Sequence, residues 1–138
     1  MSNSKSALRV ATDFLHTMAR VDPDGLTALL TDDVLINAPY APTEIPLPRR
    51  NVGKEACRVM LHAMMGGIES FEWSELDLHA TDDPDLVFGT GSSRVMMKNG
   101  HPYGNRYCFK FVIKDEKVQE YHEYFDPALA LEAFRKMA

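Results

Sequence analysis

The chain has 138 residues and a formal net charge of -5, with 45% hydrophobic and 25% charged residues. This length suits one domain with a hydrophobic core, so we expect a single domain over residues 1–138. No extended run of Lys or Arg is present, which argues against nucleic-acid binding, since phosphate contacts need clustered basic side chains. No apolar stretch approaches the roughly 20 residues that cross a bilayer, and the N-terminus lacks a signal-peptide pattern. A cytoplasmic protein with no membrane contact is therefore expected.

The positions of cysteine and histidine give no sign of a disulfide or a metal site. Cys57 and Cys108 lie far apart and form no CxxC pair. The five histidines show no HExxH or comparable ligand spacing. We therefore expect no disulfide framework, no metal and no cofactor, and a reducing compartment.

Two helices are predicted at the start of the chain. Apolar residues recur at three- and four-residue spacing over residues 5–20, which predicts an amphipathic helix. Asp22 and Pro23 then supply an N-cap and a first helical residue for a short second helix. Leu30 is predicted to lie among the buried leucines of that second helix.

A short strand is predicted over residues 34–37, and it leads into residues 38–52, which contain four prolines. Because proline lacks the backbone N–H, we expect no regular element in this segment. The segment could cover the mouth of a pocket, or it could wrap the surface. A third helix is predicted over residues 53–65, with Ala56 and Val59 on its inward face.

The second half of the chain is predicted to be sheet. Short turns, such as the Asn-Gly pair at 99–100, favour an antiparallel meander, and Gly89 and Gly91 indicate a bend or bulge. The Asp-Pro pair at 126–127 then begins a short C-terminal helix. The expected fold is α+β: a cone-shaped α+β barrel with three N-terminal helices on a strongly bent, mainly antiparallel sheet. Its interior is the natural ligand site. The four predicted strands cover residues 71–79, 86–97, 103–114 and 118–125.

One carboxylate interrupts the apolar face of the last strand. Glu123 alternates with Tyr121 and Phe125, and it is expected to face a cavity that Tyr107 also lines. A carboxyl group in a dry cavity has a raised pKa and can exchange a proton near neutral pH. If the strand coils, Glu123 instead faces outward and pairs with a basic side chain.

Other residues are candidates to bind a substrate. Tyr107 and Tyr121 could donate phenol hydrogen bonds to a ligand oxygen, or they could be core aromatics. The amides of Asn105 and Asn37 could point at the ligand or cap strand ends. His62, on the third helix, could be the acid/base partner of Glu123, or it could lie at the flank of the helix. The remaining expected substrate contacts are Phe14, Tyr40 and Phe125.

Three stretches carry a family resemblance: DPDGLTALLTDDVLINAP at 22–39, VGKEA at 52–56 and YGNRYCFKFVIKDEKVQEYHEYFDP at 103–127. They resemble the nuclear-transport-factor-2-like superfamily, in its SnoaL-like and ketosteroid-isomerase-like branch. The resemblance covers nearly the whole chain and implies the cone-shaped α+β fold. The family includes isomerases, cyclases, epoxide hydrolases, dehydratases and members with no catalysis, so the fold does not settle the function.

The resemblance does not extend to the steroid-isomerase site. The family's oxyanion-hole tyrosine falls on Phe14, its general-base aspartate on Ala38, and its protonated aspartate on Tyr107. Because a proton shuttle cannot work without its carboxylate base, ordinary ketosteroid isomerisation is not expected.

A closer likeness is to the phenazine-biosynthesis A/B family. The stretch FEWSELDLHATDDPD at 71–85 is similar to the corresponding strand and turn of that family. The family's last-strand glutamate, an acid/base in an imine-forming condensation, falls on Glu123. Its helix-3 histidine falls near His62, and its loop aspartate falls near Glu44.

These observations favour a small-molecule enzyme that performs isomerase-, cyclase- or dehydratase-type acid/base chemistry on an apolar cyclic metabolite. Two alternatives are a non-catalytic binding domain for a hydrophobic small molecule and a dimeric assembly module with a collapsed pocket. The resemblance also implies a homodimer through the outer face of the sheet, where Arg106, Lys110 and Lys114 alternate with Cys108 and Val112.

Overall fold

The structure is a computed structural model that describes residues 5–137, so residues 1–4 and 138 of the predicted domain lie outside the described residues. Three helices precede most of the sheet and a fourth follows it, which confirms the predicted α+β class. None of the described helices is long and apolar enough to span a membrane. The elements are α1 (Ala7–Ala19), α2 (Pro23–Ala28), β1 (Leu30–Asn37), β2 (Arg50–Val52), α3 (Lys54–Met65), β3 (Ile68–Ala80), β4 (Leu86–Met97), β5 (Pro102–Lys114), β6 (Lys117–Phe125) and α4 (Pro127–Met137).

The six strands form one sheet in the order β2-β1-β6-β5-β4-β3. Strands β3 to β6 make the predicted antiparallel meander, while β1 pairs parallel to β6 and antiparallel to β2. Register shifts interrupt the β1–β6, β3–β4 and β5–β6 pairings. Such irregularities bend a sheet, and here the helices pack against the concave side.

Strand β1 begins earlier than the sequence predicted. Leu30 is fully buried, as expected, but it is the first residue of β1 and not part of α2. The prediction that residues 38–52 hold no regular element is wrong at their end, because Arg50–Val52 form β2 and pair with β1. The last proline of the segment is Pro48, so residues 50–52 keep the N–H groups that a strand needs.

The buried face of α3 is rotated by about one residue from the prediction. Val59 is 55% exposed and Ala56 is exposed, whereas Cys57, Met60 and Leu61 are buried. Successive helical residues are separated by about 100°, so an error of one position moves a side chain from the flank to the core. This rotation decides the position of His62.

A bulge in β3 explains why its alternation is ambiguous in the sequence. Glu75 has a positive φ of 57°, and the β3–β4 register shifts between Ser74 and Asp77. The shift changes the parity of the strand, so Trp73 and Leu76 both pack against the core.

The bend or bulge predicted at Gly89 and Gly91 is not in their own strand pairing with β5, which has no register shift. The glycines instead leave room for leucines of β3. A Cβ on Gly89 would overlap Leu78 and lie 2.7 Å from the backbone oxygen of Asp77.

Candidate functional site

A cavity of about 500 Å³ lies between the helices and the concave face of the sheet. This volume is within the range of roughly 300–1,000 Å³ that is usual for small-molecule sites. Its walls are mostly apolar, with Phe14 and Met18 from α1, Met60 and Met64 from α3, and Trp73 from β3. The polar groups of the cavity come chiefly from β5 and β6.

The proline-rich segment lies over this cavity, so the first of its two predicted positions is the observed one. Ile45 and Leu47 line the cavity from the segment, and Phe134 lines it from α4. The two parts are joined by a bidentate ion pair in which Arg135 donates to both oxygens of Glu44, at 2.8 and 3.2 Å. This ion pair joins the proline-rich segment to α4, through two residues that are 91 positions apart in sequence. Together these two parts form the cover of the cavity.

Glu123 faces the cavity, as do its strand neighbours Tyr121 and Phe125. The Tyr121 hydroxyl donates to Glu123 Oε1 at 2.7 Å. Among the described residues, no side chain or backbone group bonds to Oε2, so this oxygen is available to a ligand. Glu123 keeps some accessible area because it borders the cavity, but protein atoms surround it. Burial raises the pKa of the Glu123 carboxyl, and the hydrogen bond from Tyr121 lowers it by less.

Three tyrosines line the cavity close to this carboxyl: Tyr103, Tyr107 and Tyr121. Burial raises the pKa of each phenol, and the negative charge of Glu123 raises all three further. A phenol with a raised pKa remains protonated at neutral pH. All three are therefore neutral groups that can donate a hydrogen bond.

Asn105 lies one step behind the cavity. It is 4% exposed, and its amide donates to the Tyr103 hydroxyl at 2.8 Å and to the Asp126 carbonyl at 2.9 Å. Its side-chain oxygen accepts from the backbone N–H of Asp126 at 3.0 Å. The expectation of a direct contact between Asn105 and the ligand is therefore corrected: Asn105 ties β5 to the start of α4 and holds Tyr103.

His62 does not line the cavity, which corrects its predicted position beside Glu123. Its side chain is 42% exposed, and its Nε2 lies 2.8 Å from Asp24 Oδ1 at the start of α2. The rotation of α3 explains the difference, because the preceding residue, Leu61, takes the inward position. The flank position that the sequence left open is the one observed.

Asn37 and Tyr40 also lie outside the cavity, contrary to the prediction. Ile36 points inward, so Asn37 points to the outer face, where its amide lies 3.3 Å from the ring of His122. Tyr40 is 59% exposed, and its ring centre lies 5.9 Å from that of Tyr124 on the same face. The predicted homodimer through this outer face stays a prediction.

The sequence missed three residues that shape the site. Trp73 packs edge-on against Tyr107 at 5.4 Å between ring centres, and its indole N–H donates to the Leu15 carbonyl at 2.8 Å. Tyr103 shares the strand parity of Tyr107, a signal that was available in the sequence. Ser93, the third, lies 3.1 Å from the Tyr107 hydroxyl, a contact that only the β4–β5 register creates.

Within residues 5–137, no group of three His, Cys, Asp or Glu side chains is arranged to hold a metal ion. Besides the tyrosines and Glu123, Arg49 borders the cavity at its exposed side, where its Nε donates to the Ala41 carbonyl at 2.7 Å.

The helices, the bent sheet and the internal cavity between them make up the nuclear-transport-factor-2-like fold. Residues 11–121 match the family model of the SnoaL-like domain, so the chain belongs to the SnoaL-like family. This confirms the predicted resemblance. No curated protein sequence matches the chain.

Solved structures share the fold over nearly the whole chain. A proposed isomerase from Bacillus subtilis aligns with a TM-score of 0.83 and 22% identity over 94% of this chain and 92% of that one. An LEH-like epoxide hydrolase from M. tuberculosis aligns with a TM-score of 0.71 and 20% identity, over 94% of this chain and 90% of that one. A phenazine biosynthesis-related protein from Pseudomonas aeruginosa aligns with a TM-score of 0.67 and 16% identity, over 94% of this chain and 89% of that one. At these identities the likeness shows the fold alone.

Proposed function

We propose that this protein is a cofactor-independent enzyme that moves a proton on a neutral, mostly apolar, cyclic small molecule held in the cavity. Glu123 acts as the acid/base. The observation that carries the proposal is that Glu123 is the one carboxyl group among the described residues that line the cavity, and it has a free oxygen there.

The chemistry follows from the surroundings of that carboxyl. Burial disfavours its charged form, so its pKa moves from the acid range towards neutrality. A general acid/base is most effective when its pKa lies near the working pH. Isomerisation, dehydration and cyclisation each include a proton transfer that such a group can perform. The fold relatives include a proposed isomerase and an epoxide hydrolase, which supports an enzymatic role at the level of the fold.

Trp73 provides the assay for ligands. It is the only tryptophan of the chain and lines the cavity, so the NMR signal of its indole N–H reports an occupied cavity. Cyclic ketones and alcohols would be screened by this signal, and each ligand then incubated in heavy water and analysed for product or deuterium uptake by mass spectrometry.

The decisive variant is Glu123→Gln, which keeps the shape of the side chain and removes its titration. We expect ligand binding to persist and turnover to fall by about 10²- to 10⁴-fold, the usual contribution of a general acid/base. Glu120→Gln is the matched control, because Glu120 lies on the same strand and bonds to His122 away from the cavity. Full turnover in Glu123→Gln would end the proposal.

The second candidate function is a carrier for a hydrophobic metabolite. It is favoured by the absence of a second carboxyl or histidine among the described residues that line the cavity. A carrier would form no product from any ligand, and Glu123→Gln would change its affinity only modestly. The third alternative, an assembly module with a collapsed pocket, is disfavoured by the cavity of about 500 Å³.

A further inference from the structure

A chain of hydrogen bonds behind the cavity wall ends on two phenols. The backbone N–H of Asn105 donates to Ser93 Oγ at 3.2 Å, and Ser93 Oγ lies 3.1 Å from the Tyr107 hydroxyl. Ser93 is 7% exposed. Among the described residues, the Tyr107 oxygen is the one acceptor that the Ser93 proton meets. The distance alone lets either hydroxyl be the donor, and Ser93 is assigned as the donor because its buried proton would otherwise have no acceptor.

The second phenol, that of Tyr103, also accepts a hydrogen bond from the protein. The side-chain amide of Asn105 donates to the Tyr103 hydroxyl at 2.8 Å. An amide nitrogen can only donate, so the direction of this bond is fixed once the amide is assigned, and the Asn105 oxygen confirms the assignment by accepting two backbone N–H groups.

The hydroxyl protons of Tyr103 and Tyr107 outnumber the acceptors that the protein offers them. Tyr103 and Tyr107 each accept one hydrogen bond from the protein, and each has one proton to give. The two phenols are hydrogen-bond neighbours, so the proton of one can be donated to the other. Glu123 accepts from Tyr121 and from no other described group. At least one phenol O–H therefore points into the cavity without a protein acceptor.

We propose that Tyr103 and Tyr107 form a donor site for one acceptor oxygen of the substrate, and that Ser93 and Asn105 are positioning residues that aim the phenol protons into the cavity. The inference rests on the proposed function and specifies its substrate class: an uncharged carbonyl compound with an apolar ring system. The negative charge of Glu123 acts on both phenols, and it would repel an anionic ligand bound to them.

The test compares probes that share one skeleton: 1-tetralone, which has a carbonyl, and tetralin, which lacks it. Both would be titrated against the whole protein by the Trp73 indole signal. The measured quantity is the ratio of the two affinities, ketone over hydrocarbon, because a general change in the cavity affects both probes and cancels. Protonated 1-aminotetralin serves as a third probe for a cation site at Glu123.

In the Tyr103→Phe/Tyr107→Phe double variant the ratio is expected to fall about tenfold, the equivalent of one or two lost hydrogen bonds. Ser93→Ala should lower the ratio several-fold, and Ser93→Thr, which keeps the hydroxyl, should restore it. Ser92→Ala is the control, since Ser92 precedes Ser93 on the same strand and points to the other face.

A spectroscopic signature separates positioning from a purely structural role. The carbonyl carbon of ¹³C-labelled 1-tetralone should move downfield on binding to wild type and less so on binding to Ser93→Ala. An unchanged affinity ratio in the double variant, a preference for 1-aminotetralin over the ketone, or no binding of either neutral probe to wild type would overturn the inference.

The two proposals fail in different ways. If the ketone preference is lost with the phenols while Glu123→Gln retains full turnover, the donor site stands and the acid/base assignment falls. If Glu123→Gln abolishes turnover while the ketone preference is independent of both phenols, the donor site falls alone.

Discussion

The hydroxyl of Tyr121 donates a hydrogen bond of 2.7 Å to Oε1 of Glu123, two residues further along β6. Both side chains point into the cavity, because residues i and i+2 of a strand share a face. The bond fixes one carboxyl oxygen and leaves the other free for a ligand. It also opposes the effect of burial on the pKa of the carboxyl.

Removal of this hydrogen bond should raise the pKa of Glu123 further. Tyr121→Phe keeps the ring and deletes the donor, so the charged carboxylate loses its partner while burial remains. We expect a further upward shift of the Glu123 pKa, observed by carbon NMR of the carboxyl. Tyr124→Phe is the control on the outer face of the same strand, and it should have no effect. A downward shift in Tyr121→Phe would contradict the assigned direction of the bond.

Glu123→Gln should change the pH dependence of stability. The folded protein holds the pKa above the unfolded value of about 4.3, so the protonated form favours folding. That contribution is complete below the unfolded pKa and is lost as the pH rises through the folded pKa. Glutamine does not titrate. The variant should therefore gain stability relative to wild type between pH 4 and pH 8, by on the order of 1 kcal/mol.

This gain would be measured by urea denaturation at each pH. Glu120→Gln removes a carboxyl from the same strand outside the cavity, and the gain of Glu123→Gln is measured against it. A stability difference between Glu123→Gln and wild type that is constant with pH would mean that Glu123 has an ordinary pKa.

The ion pair between Arg135 and Glu44 should regulate access to the cavity more than it stabilises the fold. Exposed pairs contribute about 0–1 kcal/mol, and both partners here are more than half exposed. Arg135→Gln should increase the quenching of Trp73 fluorescence by acrylamide, a neutral quencher, with little loss of stability. Lys136→Gln is the control, because Lys136 pairs with Glu132 within α4. Equal quenching in the two variants would show that the pair does not restrain the cover.

The glycines of β4 should differ in their tolerance of alanine. At Gly89 a Cβ would meet the backbone oxygen of Asp77 at 2.7 Å as well as Leu78, so we expect a loss of about 1–3 kcal/mol. At Gly91 the main obstacle is the flexible Leu76 side chain, and Leu76→Ala should rescue Gly91→Ala. Gly67→Ala is the control, because its nearest contact is 3.4 Å away. Urea denaturation of each variant measures these differences, and equal losses at Gly89 and Gly67 would contradict the account.

The sequence predicted the four-strand meander and the cavity-facing position of Glu123 because strand alternation is a local property. Alternate residues of β5 are buried on the predicted face, namely Tyr107, Phe109 and Phe111. Glu123 lies opposite Phe109 in the neighbouring strand, so its side chain points to the same face. A bulge breaks this rule. The parity change at Glu75 in β3 concealed that Trp73 faces the cavity.

The buried face of a helix and the contacts between distant segments were harder to predict from the sequence. His62 was misplaced because a short apolar pattern leaves the rotation of a helix uncertain by one residue, and the preceding residue, Leu61, takes the inward position. The Ser93–Tyr107 contact depends on the β4–β5 register, and the Glu44–Arg135 pair joins segments 91 residues apart. Neither contact has a local sequence pattern.

The central claim is that Glu123 is a carboxyl group in a dry cavity, ready to exchange a proton near neutral pH. The measurement that tests it most directly is a pH titration of the Glu123 side-chain carbonyl carbon by NMR in the wild-type protein, with Glu123→Gln used to assign the signal. The account predicts a pKa well above the model-peptide value of about 4.3. A pKa at or below that value would contradict the account, because it would put the carboxyl in water or in an ion pair.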